Sequence, residues 1–505
     1  MSTIQIKSLC FAYEGGSENI FENLCLTLDT DWKLGFVGRN GRGKTTLLKL
    51  LAGRLNCPPG TICADTEFRY FPYAVRESGT ALEACESAEP DFEFWALCRE
   101  LNLLGLDADL IFRPWLSLSG GERVKILLAL LFSSENRFLL IDEPTNHLDT
   151  AGRILLAEYL KSKKGFILVS HDREVLNGCT DHTLALNRTG AEIVRGNFYC
   201  WLENKERRDS FELAENEKRK NEIKKLSEAA KRTAGWSDAL ERTKIGTGVV
   251  DRGFIGHKSA KMMKRAKAIE RRREQTIEAK SALLKDVEHV SPLKLSPLPW
   301  RAEVLASFEN VSVFRGEKEI CKNLNFKISR GERVLIAGAN GSGKSSVLAL
   351  LYGGEEGLSS RGTLFVGQGL TLSRLPQDIS GVEGTFRGFA AERGIEESLF
   401  FTILRKLDFS RTQFERNLSE LSSGQKKKVL IAASLCERAH LYIWDEPLNF
   451  IDLFSRMQIE ELILKFCPTM VFVEHDSAFS RKVATQVVNL DSTGSGADFA
   501  SHVSR

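Results

Sequence analysis

Two octapeptides carry residue types that hold phosphate: GRNGRGKT from Gly38 to Thr45 and GANGSGKS from Gly338 to Ser345. Glycines at 38, 41 and 43, and again at 338, 341 and 343, flank Asn40 and Asn340. Such a loop lets backbone N–H groups wrap an anion, and a helix starting behind it adds positive potential. Lys44 and Lys344 are placed to reach the β- and γ-phosphates of a nucleoside triphosphate. The Thr45 and Ser345 hydroxyls are placed to hold Mg2+, with Thr46 and Ser346 next in each helix. Asp142 and Asp445 each end an apolar run, where a metal-facing carboxylate belongs. The adjoining Glu143 and Glu446 can polarise an attacking water. His171 and His475 follow two further apolar runs and are expected at the γ-phosphate. Together these groups point to hydrolysis of a phosphoanhydride.

The spacing shows how they are positioned. The second octapeptide lies 300 residues after the first. LSGGE at Leu118 is answered by LSSGQ at Leu421, and FLLIDEP at Phe138 by LYIWDEP at Leu441, both 303 residues later. LVSHD at Leu168 is answered by FVEHD at Phe472, 304 residues later. Four motifs in one order at a nearly constant offset mean a tandem duplication. In each copy a short apolar strand (Leu34 to Val37, Val334 to Ala337) enters the glycine loop. Helical spacing follows over Thr46 to Leu51 and Ser346 to Leu351. The expected fold class is α/β, with the carboxylates at strand ends where open parallel sheets gather ligands. One copy is expected over 1–200 and the other over 301–490, with a short Ser/Gly-rich tail over 491–505.

Residues 201–300 differ in character. Glu203 to Ala234 is charge-dense and free of Gly and Pro, which predicts a long helix of about 50 Å. Five glycines between Gly235 and Gly256 are expected to break it. Helical spacing resumes from His257 to Val290, and Pro292, Pro297 and Pro299 end it. The pattern predicts an antiparallel helical hairpin with its tip near 235–256. The whole chain of 505 residues has a net charge of +3. Trp201 to Val290 alone holds 23 Lys and Arg against 16 Asp and Glu, and Lys231 to Arg273 holds 13 against 4. The positive field sits on the hairpin, and Trp236, Arg242, Lys244, Arg252 and Phe254 offer cations for phosphate and rings for stacking on bases. No apolar run approaches the roughly 18–20 residues needed to cross a bilayer, so neither a membrane span nor a secretory signal is expected. None of the eleven cysteines forms a Cys-x-x-Cys pair, which disfavours zinc and iron–sulfur sites and fits a reducing, cytoplasmic setting.

LSGGE and LSSGQ, each between a phosphate loop and a strand ending in Asp-Glu, resemble the signature motif of ATP-binding cassette ATPases. The resemblance covers both copies and implies two cassettes closing head to tail over two ATP molecules. One site would then join Gly38–Thr45, Glu143 and His171 to Ser422, Ser423 and Gly424. The other would join Gly338–Ser345, Glu446 and His475 to Ser119, Gly120 and Gly121. Tyr13 and Phe314 resemble the family's adenine-stacking aromatic, and Gln377 its Mg2+- and water-contacting glutamine. Copy one departs from the pattern, with Phe71-Pro72-Tyr73 where copy two has Leu375-Pro376-Gln377. Copy two departs as well, with EPLNFID where copy one has EPTNHLD. Unequal sites are expected.

Two cassettes, a charged helical linker and no membrane domain resemble the ABC-F family of ribosome-binding ATPases. EPTNHLD at Glu143 and GNFYCW at Gly196 are similar to motifs of that family. Lys44 to Ser119 and Lys344 to Ser422 are nearly equal in length, so copy one shows no inserted arm of the kind that housekeeping members carry. The Gly235–Arg272 stretch resembles members that protect ribosomes from lincosamides, streptogramins A and pleuromutilins. That resemblance implies a cytoplasmic, ribosome-associated monomer whose cassettes pair within one chain. Its linker would enter from the tRNA exit site towards the peptidyl-transferase centre of the bacterial ribosome, meeting large-subunit rRNA and peptidyl tRNA. A drug-independent translation factor rescuing stalled ribosomes is the alternative within the family, and the energising subunit of an exporter is the alternative outside it.

Overall fold

The computed structural model describes residues 2–13, 19–58, 60–134, 137–146, 148–187, 190–242 and 293–490. The chain divides into two compact units, one comprising Met1–Tyr199 with Val290–Arg505 and the other Cys200–His289. The first unit holds both cassettes.

In the first cassette β1 (Thr3–Phe11), β2 (Phe21–Asp29) and β4 (Ile62–Cys63) make an antiparallel sheet in the order β2-β1-β4. Alternation of apolar and polar residues in β2 leaves one face buried, and Ile4 and Ile6 pair with Leu28 and Leu26. The main sheet has the order β5-β6-β7-β3-β8-β9. Its strands are β3 (Lys33–Gly38), β5 (Glu67–Phe71), β6 (Arg137–Asp142), β7 (Phe166–Val169), β8 (His182–Asn187) and β9 (Gly190–Arg195). All pair in parallel except β8 with β9. Covered on both faces, β6 and β7 read as continuous apolar runs, Phe-Leu-Leu-Ile and Phe-Ile-Leu-Val. Helix α1 (Lys44–Leu51) lies in the core between the two sheets and buries Leu47, Leu48, Leu50 and Leu51. Eight residues are too few for a stable helix in water. At about 2 kcal/mol per buried leucine, packing holds this one in place.

The second cassette repeats the plan. Strands β10 (Val304–Arg315), β11 (Lys318–Ser329) and β13 (Leu358–Val366) form the antiparallel sheet. The parallel sheet runs β14-β15-β16-β12-β17, from β12 (Arg333–Ala337), β14 (Leu372–Leu375), β15 (Leu441–Asp445), β16 (Met470–Val473) and β17 (Gln486–Asn489). In the first cassette α2 (Ala81–Ala88), α3 (Phe94–Leu103) and α4 (Gly120–Phe132) form a helical layer, answered in the second by helices Phe386–Glu392, Glu397–Lys406 and Ser423–Cys436. Helices α5 (Thr150–Lys161) and α6 (Arg173–Cys179) follow β6 and β7 and pack on each other.

The linker corrects one expectation. Helix α7 runs Phe198–Arg242, starting before Glu203 and passing straight through Gly235. One interior glycine costs a helix only about 1 kcal/mol, too little to stop 45 residues of it. Trp236 and Arg242 therefore belong to the helix and not to a non-helical tip. The expected second helix, the tip residues Lys244, Arg252 and Phe254, and the tail 491–505 lie outside the described residues. Among those described, no helix is long and apolar enough to cross a membrane.

Candidate active site

Strands β3 and β12 each deliver a glycine loop to the start of a helix. Gly43 and Gly343 both have φ of 93°. A Cβ on Gly43 would stand 2.5 Å from the Ile20 side chain, and one on Gly343 would collide with Ile320. Both positions need glycine for conformation and for space. Lys44 Nζ donates to the carbonyls of Gly38 (2.6 Å) and Arg39 (3.1 Å), and Lys344 Nζ to those of Gly338 (2.9 Å) and Ala339 (2.8 Å). Both ammonium groups thus lie along their own loops. Burial lowers the Lys44 pKa, opposed by Asp452, Glu143 and Asp142. Burial raises the pKa of both Asp142 and Asp445, opposed in part by the neighbouring Thr45 and Ser345 hydroxyls. Asp445 Oδ1 is buried with no hydrogen-bond partner, as an oxygen built to face a cation would be.

Glu143 and Glu446 share a feature that no side-chain pattern shows. Their φ angles are 52° and 46°, left-handed backbone in residues that are not glycine. Each is fixed there by its own N–H, donated to the carbonyl of Val169 (2.9 Å) or Val473 (3.0 Å). Strain of this kind, about 1–3 kcal/mol, persists where a side chain must be aimed. It aims Glu143 Oε1 to 3.2 Å from His171 Nε2, and Glu446 Oε1 to 3.6 Å from His475 Nε2. Each glutamate carboxylate thus stands beside the histidine of its own cassette.

The two sites differ in how the glutamate is held. Glu446 Oε2 accepts from Gln377 Nε2 (2.8 Å) and Asn449 Nδ2 (2.5 Å). Burial would raise its pKa, but the His475 ring and the Gln377 amide outweigh that and hold the carboxyl below its usual range. Lys427 Nζ fastens this corner by donating to the carbonyls of Pro376 (2.9 Å) and Asp445 (3.3 Å). In the first copy Tyr73 stands for Gln377 and Val124 for Lys427. Glu143 Oε1 is buried without a hydrogen-bond partner, and burial, with the Asp142 charge added, pushes its pKa up to about 8. Tyr70 instead donates its hydroxyl to Asp142 Oδ2 at 3.0 Å.

The cassettes meet head to tail. A cavity of about 1070 Å³ is lined by Gly341, Gly343 to Ser346, Asn340, Gln377, Glu446 and His475 together with Ser119, Gly120 and Gly121. LSGGE is a capping box: Ser119 Oγ accepts from Glu122 N (3.2 Å) and Glu122 Oε2 from Ser119 N (2.7 Å). The glycines then occupy the first turn of α4, whose N–H groups suit an anion. Ser422 and Gln425 make the same box in copy two. The other cavity, about 390 Å³, is lined by Tyr13, Asn40, Gly41, Gly43 to Thr46, Asp142, Glu143, His171 and Phe450. Here Asn40 Nδ2 donates to Phe450 O at 3.0 Å. A Cβ on Gly424 would lie 2.5 Å from that carbonyl and 3.2 Å from Asn40, so the backbones approach too closely for alanine. Ser422 and Ser423 are not among the lining residues. Tyr13 meets Thr46 through its hydroxyl (3.1 Å). Phe314 does not line the second cavity; Arg361 lies over its ring at 5.0 Å, and Arg315, Lys318 and Ile320 line the wall instead.

Tyr70, Asn449 and Lys427 were not singled out by sequence reasoning, whereas Phe450 was met only as a departure of EPLNFID from EPTNHLD. Asn449 was legible, because Asn146 repeats it in EPTNHLD. Tyr70 and Lys427 take part in the site without belonging to a motif that the two copies share.

The ABC transporter family model matches residues 21–146 and 321–449. The chain is 27% identical to the ribosome protection protein VmlR of Bacillus subtilis over 96% of this chain and 86% of that protein. It is 25% identical to the energy-dependent translational throttle protein EttA of Haemophilus influenzae, over 94% and 90%. Among solved structures it resembles an archaeal ribosome recycling factor, aABCE1, determined in complex with the ribosomal stalk protein aP1. The TM-score is 0.61 at 19% identity, over 95% of this chain and 87% of that one; this likeness speaks to fold. With the paired loops, carboxylates and signatures already in place, the chain belongs to the ABC transporter family, carries two of its cassettes in tandem and is an ATPase.

Proposed function

We propose that this chain is an ABC-F ATPase that protects the bacterial ribosome from a drug at the peptidyl-transferase centre. In this reading ATP closes the cassette pair and the closed form binds the ribosome. The basic linker enters from the tRNA exit site, meets large-subunit rRNA, shifts the peptidyl tRNA and displaces the drug. Hydrolysis then releases the protein, which works as a cytoplasmic monomer. The observation that carries the reading is one cavity shared by the second phosphate loop and the first signature, in a chain whose cassettes are joined by a segment with a net charge of +7. The likeness to VmlR, a ribosome protection protein, supports it.

Each residue has a task. The glycine loops and lysines bind the phosphates, and Ser119 to Gly121 cover them from the opposite cassette. Glu446 accepts a proton from the attacking water, aimed by Gln377 and Asn449, and Glu143 takes that role less effectively in the other site. His171 and His475 hold the glutamates and reach for the γ-phosphate, and Tyr13 borders the adenine. Mg2+, held by Thr45 and Asp142 in one site and by Ser345, Asp445 and Gln377 in the other, would neutralise phosphate charge; the unpartnered Asp445 Oδ1 fits such an ion.

The test is cell-free translation poisoned with a lincosamide or a pleuromutilin and titrated with purified protein and ATP. Dose-dependent rescue is expected. Ribosome binding without rescue would instead favour a housekeeping factor for stalled ribosomes, a reading that the similarity to EttA supports. Failure of a Glu143→Gln/Glu446→Gln protein to sediment with ribosomes in ATP would return the exporter subunit to consideration.

A further inference from the structure

The duplication supplies an internal control for reading surfaces. Five of the thirteen exposed large hydrophobic side chains among the described residues fall between Phe94 and Leu116. They are Phe94, Trp95, Leu103, Phe112 and Leu116, with Trp95 61% and Phe112 57% exposed. At the 303 offset the second cassette has Glu397, Ser398, Lys406, Glu415 and Ser419. The two helices that carry these positions, Phe94–Leu103 and Glu397–Lys406, have the same length and place in the fold. A scatter of single exposed apolar residues needs no explanation, but five that are polar in the twin cassette form a feature of one cassette only. They are also contiguous in part. The Phe94 and Phe112 rings are 6.4 Å apart. Trp95, Arg99 and Leu103 follow one another at i, i+4 and i+8 on one helix face, and the Arg99 guanidinium lies 5.2 Å from the Trp95 ring centre.

The charge around the patch selects the partner. Over residues 76–113 seven carboxylates are exposed (Glu77, Glu83, Glu86, Asp91, Glu93, Asp107, Asp109) against three arginines. The matching stretch, 379–416, exposes five of each sign. An acidic rim repels nucleic acid and anionic lipid, and it repels a second copy of itself. Exposed aromatic rings ringed by acid fit a basic protein segment that brings its own apolar anchors.

We propose that this face of the first cassette is a docking surface for a Lys/Arg-rich amphipathic peptide segment of another protein, with Phe94, Trp95 and Phe112 as its apolar anchors. The inference is independent of the ribosome reading and touches none of the nucleotide-site residues.

The test uses a fluorescein-labelled amphipathic peptide of lysines, leucines and one tryptophan (about 18 residues, on the order of five helical turns), followed by anisotropy against the full chain. A Phe94→Glu/Trp95→Ser/Phe112→Glu variant installs the second cassette's own residues, and a Glu86→Lys/Asp91→Lys variant reverses part of the rim. Each is expected to weaken peptide binding about tenfold or more while ATPase activity stays within about twofold; a tenfold loss is about 1.4 kcal/mol. The first variant adds negative charge, so its loss cannot come from simple ion attraction. Raising salt should weaken the wild type as well. The proposal is overturned if both variants bind the peptide as tightly as the wild type. It is equally overturned if the triple variant loses affinity for an oligo-uridine probe instead of the peptide, which would make the face an RNA surface. Should the triple variant fail to fold, the charge variant alone decides.

Discussion

Glu446 is held at both oxygens, by Gln377 and Asn449 on one and beside His475 on the other. Glu143 Oε1 is buried without a hydrogen-bond partner, 3.2 Å from His171 Nε2. Positioned bases contribute about 10²–10⁴ in rate, so the better-positioned glutamate should carry most of the turnover. Glu446→Gln is expected to lower kcat about 100-fold, whereas Glu143→Gln should keep more than half of it. Equal losses in steady-state ATPase assays would refute the inequality. A second residue-scale prediction concerns Asp452, whose carboxylate is buried against Lys428 Nζ at 2.6 Å. Burial would raise its pKa, but the Lys428 charge and hydrogen bond prevail and hold it far below the ordinary value of about 3.9. Its contribution is therefore complete above about pH 4 and is lost as pH falls towards the folded value. Asp452→Asn keeps a cap for the following helix but leaves Lys428 buried and unpaired, at a cost of about 3–5 kcal/mol. Melting scans should show a lower Tm at about pH 7 and a flatter fall between about pH 4 and pH 2 than in the wild type. An unchanged acid limb would mean that the pair is not what the pH dependence reads.

Between elements, α6 faces the second cassette through Arg173, whose Nη2 donates to Glu460 Oε2 at 2.5 Å with both side chains buried. Lys482 shares Glu460 at 2.8 Å, and Arg481 reaches back to Glu174 at 2.6 Å. Removing one member of such a buried pair leaves the other uncompensated. Arg173→Ala and Glu460→Ala should each lower Tm and ATPase activity, and their double mutant should fall short of the sum by about 2 kcal/mol. Additive effects would show that the cassettes are held together elsewhere. None of this pairing was readable from sequence, because Arg173 and Glu460 sit in no shared motif and lie 287 residues apart. What was readable is what repeats. The phosphate loops, the strand-end carboxylates and the signature caps recur at a nearly constant offset, and local chemistry alone explains each. The left-handed Glu143 and Glu446 stayed hidden because a positive φ is expected of glycine, and here a backbone hydrogen bond to the neighbouring strand's end imposes it. Gly235 misled for the opposite reason, since a breaker was expected where a long helix absorbs the cost.

At the scale of the whole molecule, nucleotide chemistry and the proposed drug displacement belong to separate compact units. Every nucleotide-site residue named above lies in the cassette unit, and the basic stretch Lys231 to Arg273 lies in the other. A ligand shifts an equilibrium only through its differential affinity for the two states. On the proposed reading ATP therefore acts on the ribosome through cassette closure, and the linker sets what closure accomplishes once bound. Replacing residues 242–254 with a short Gly-Ser turn should abolish protection in poisoned cell-free translation while leaving ATPase activity near normal. Ribosome binding by the Glu143→Gln/Glu446→Gln protein should weaken with salt in either background. The slope of log affinity against log salt should be shallower in the replaced chain, by somewhat under one unit for each phosphate that is no longer neutralised. Arg242, Lys244 and Arg252 are the cations removed, so a drop of about two units is the expected size. Protection that survives the replacement would place the effector elsewhere in the stretch 201–300.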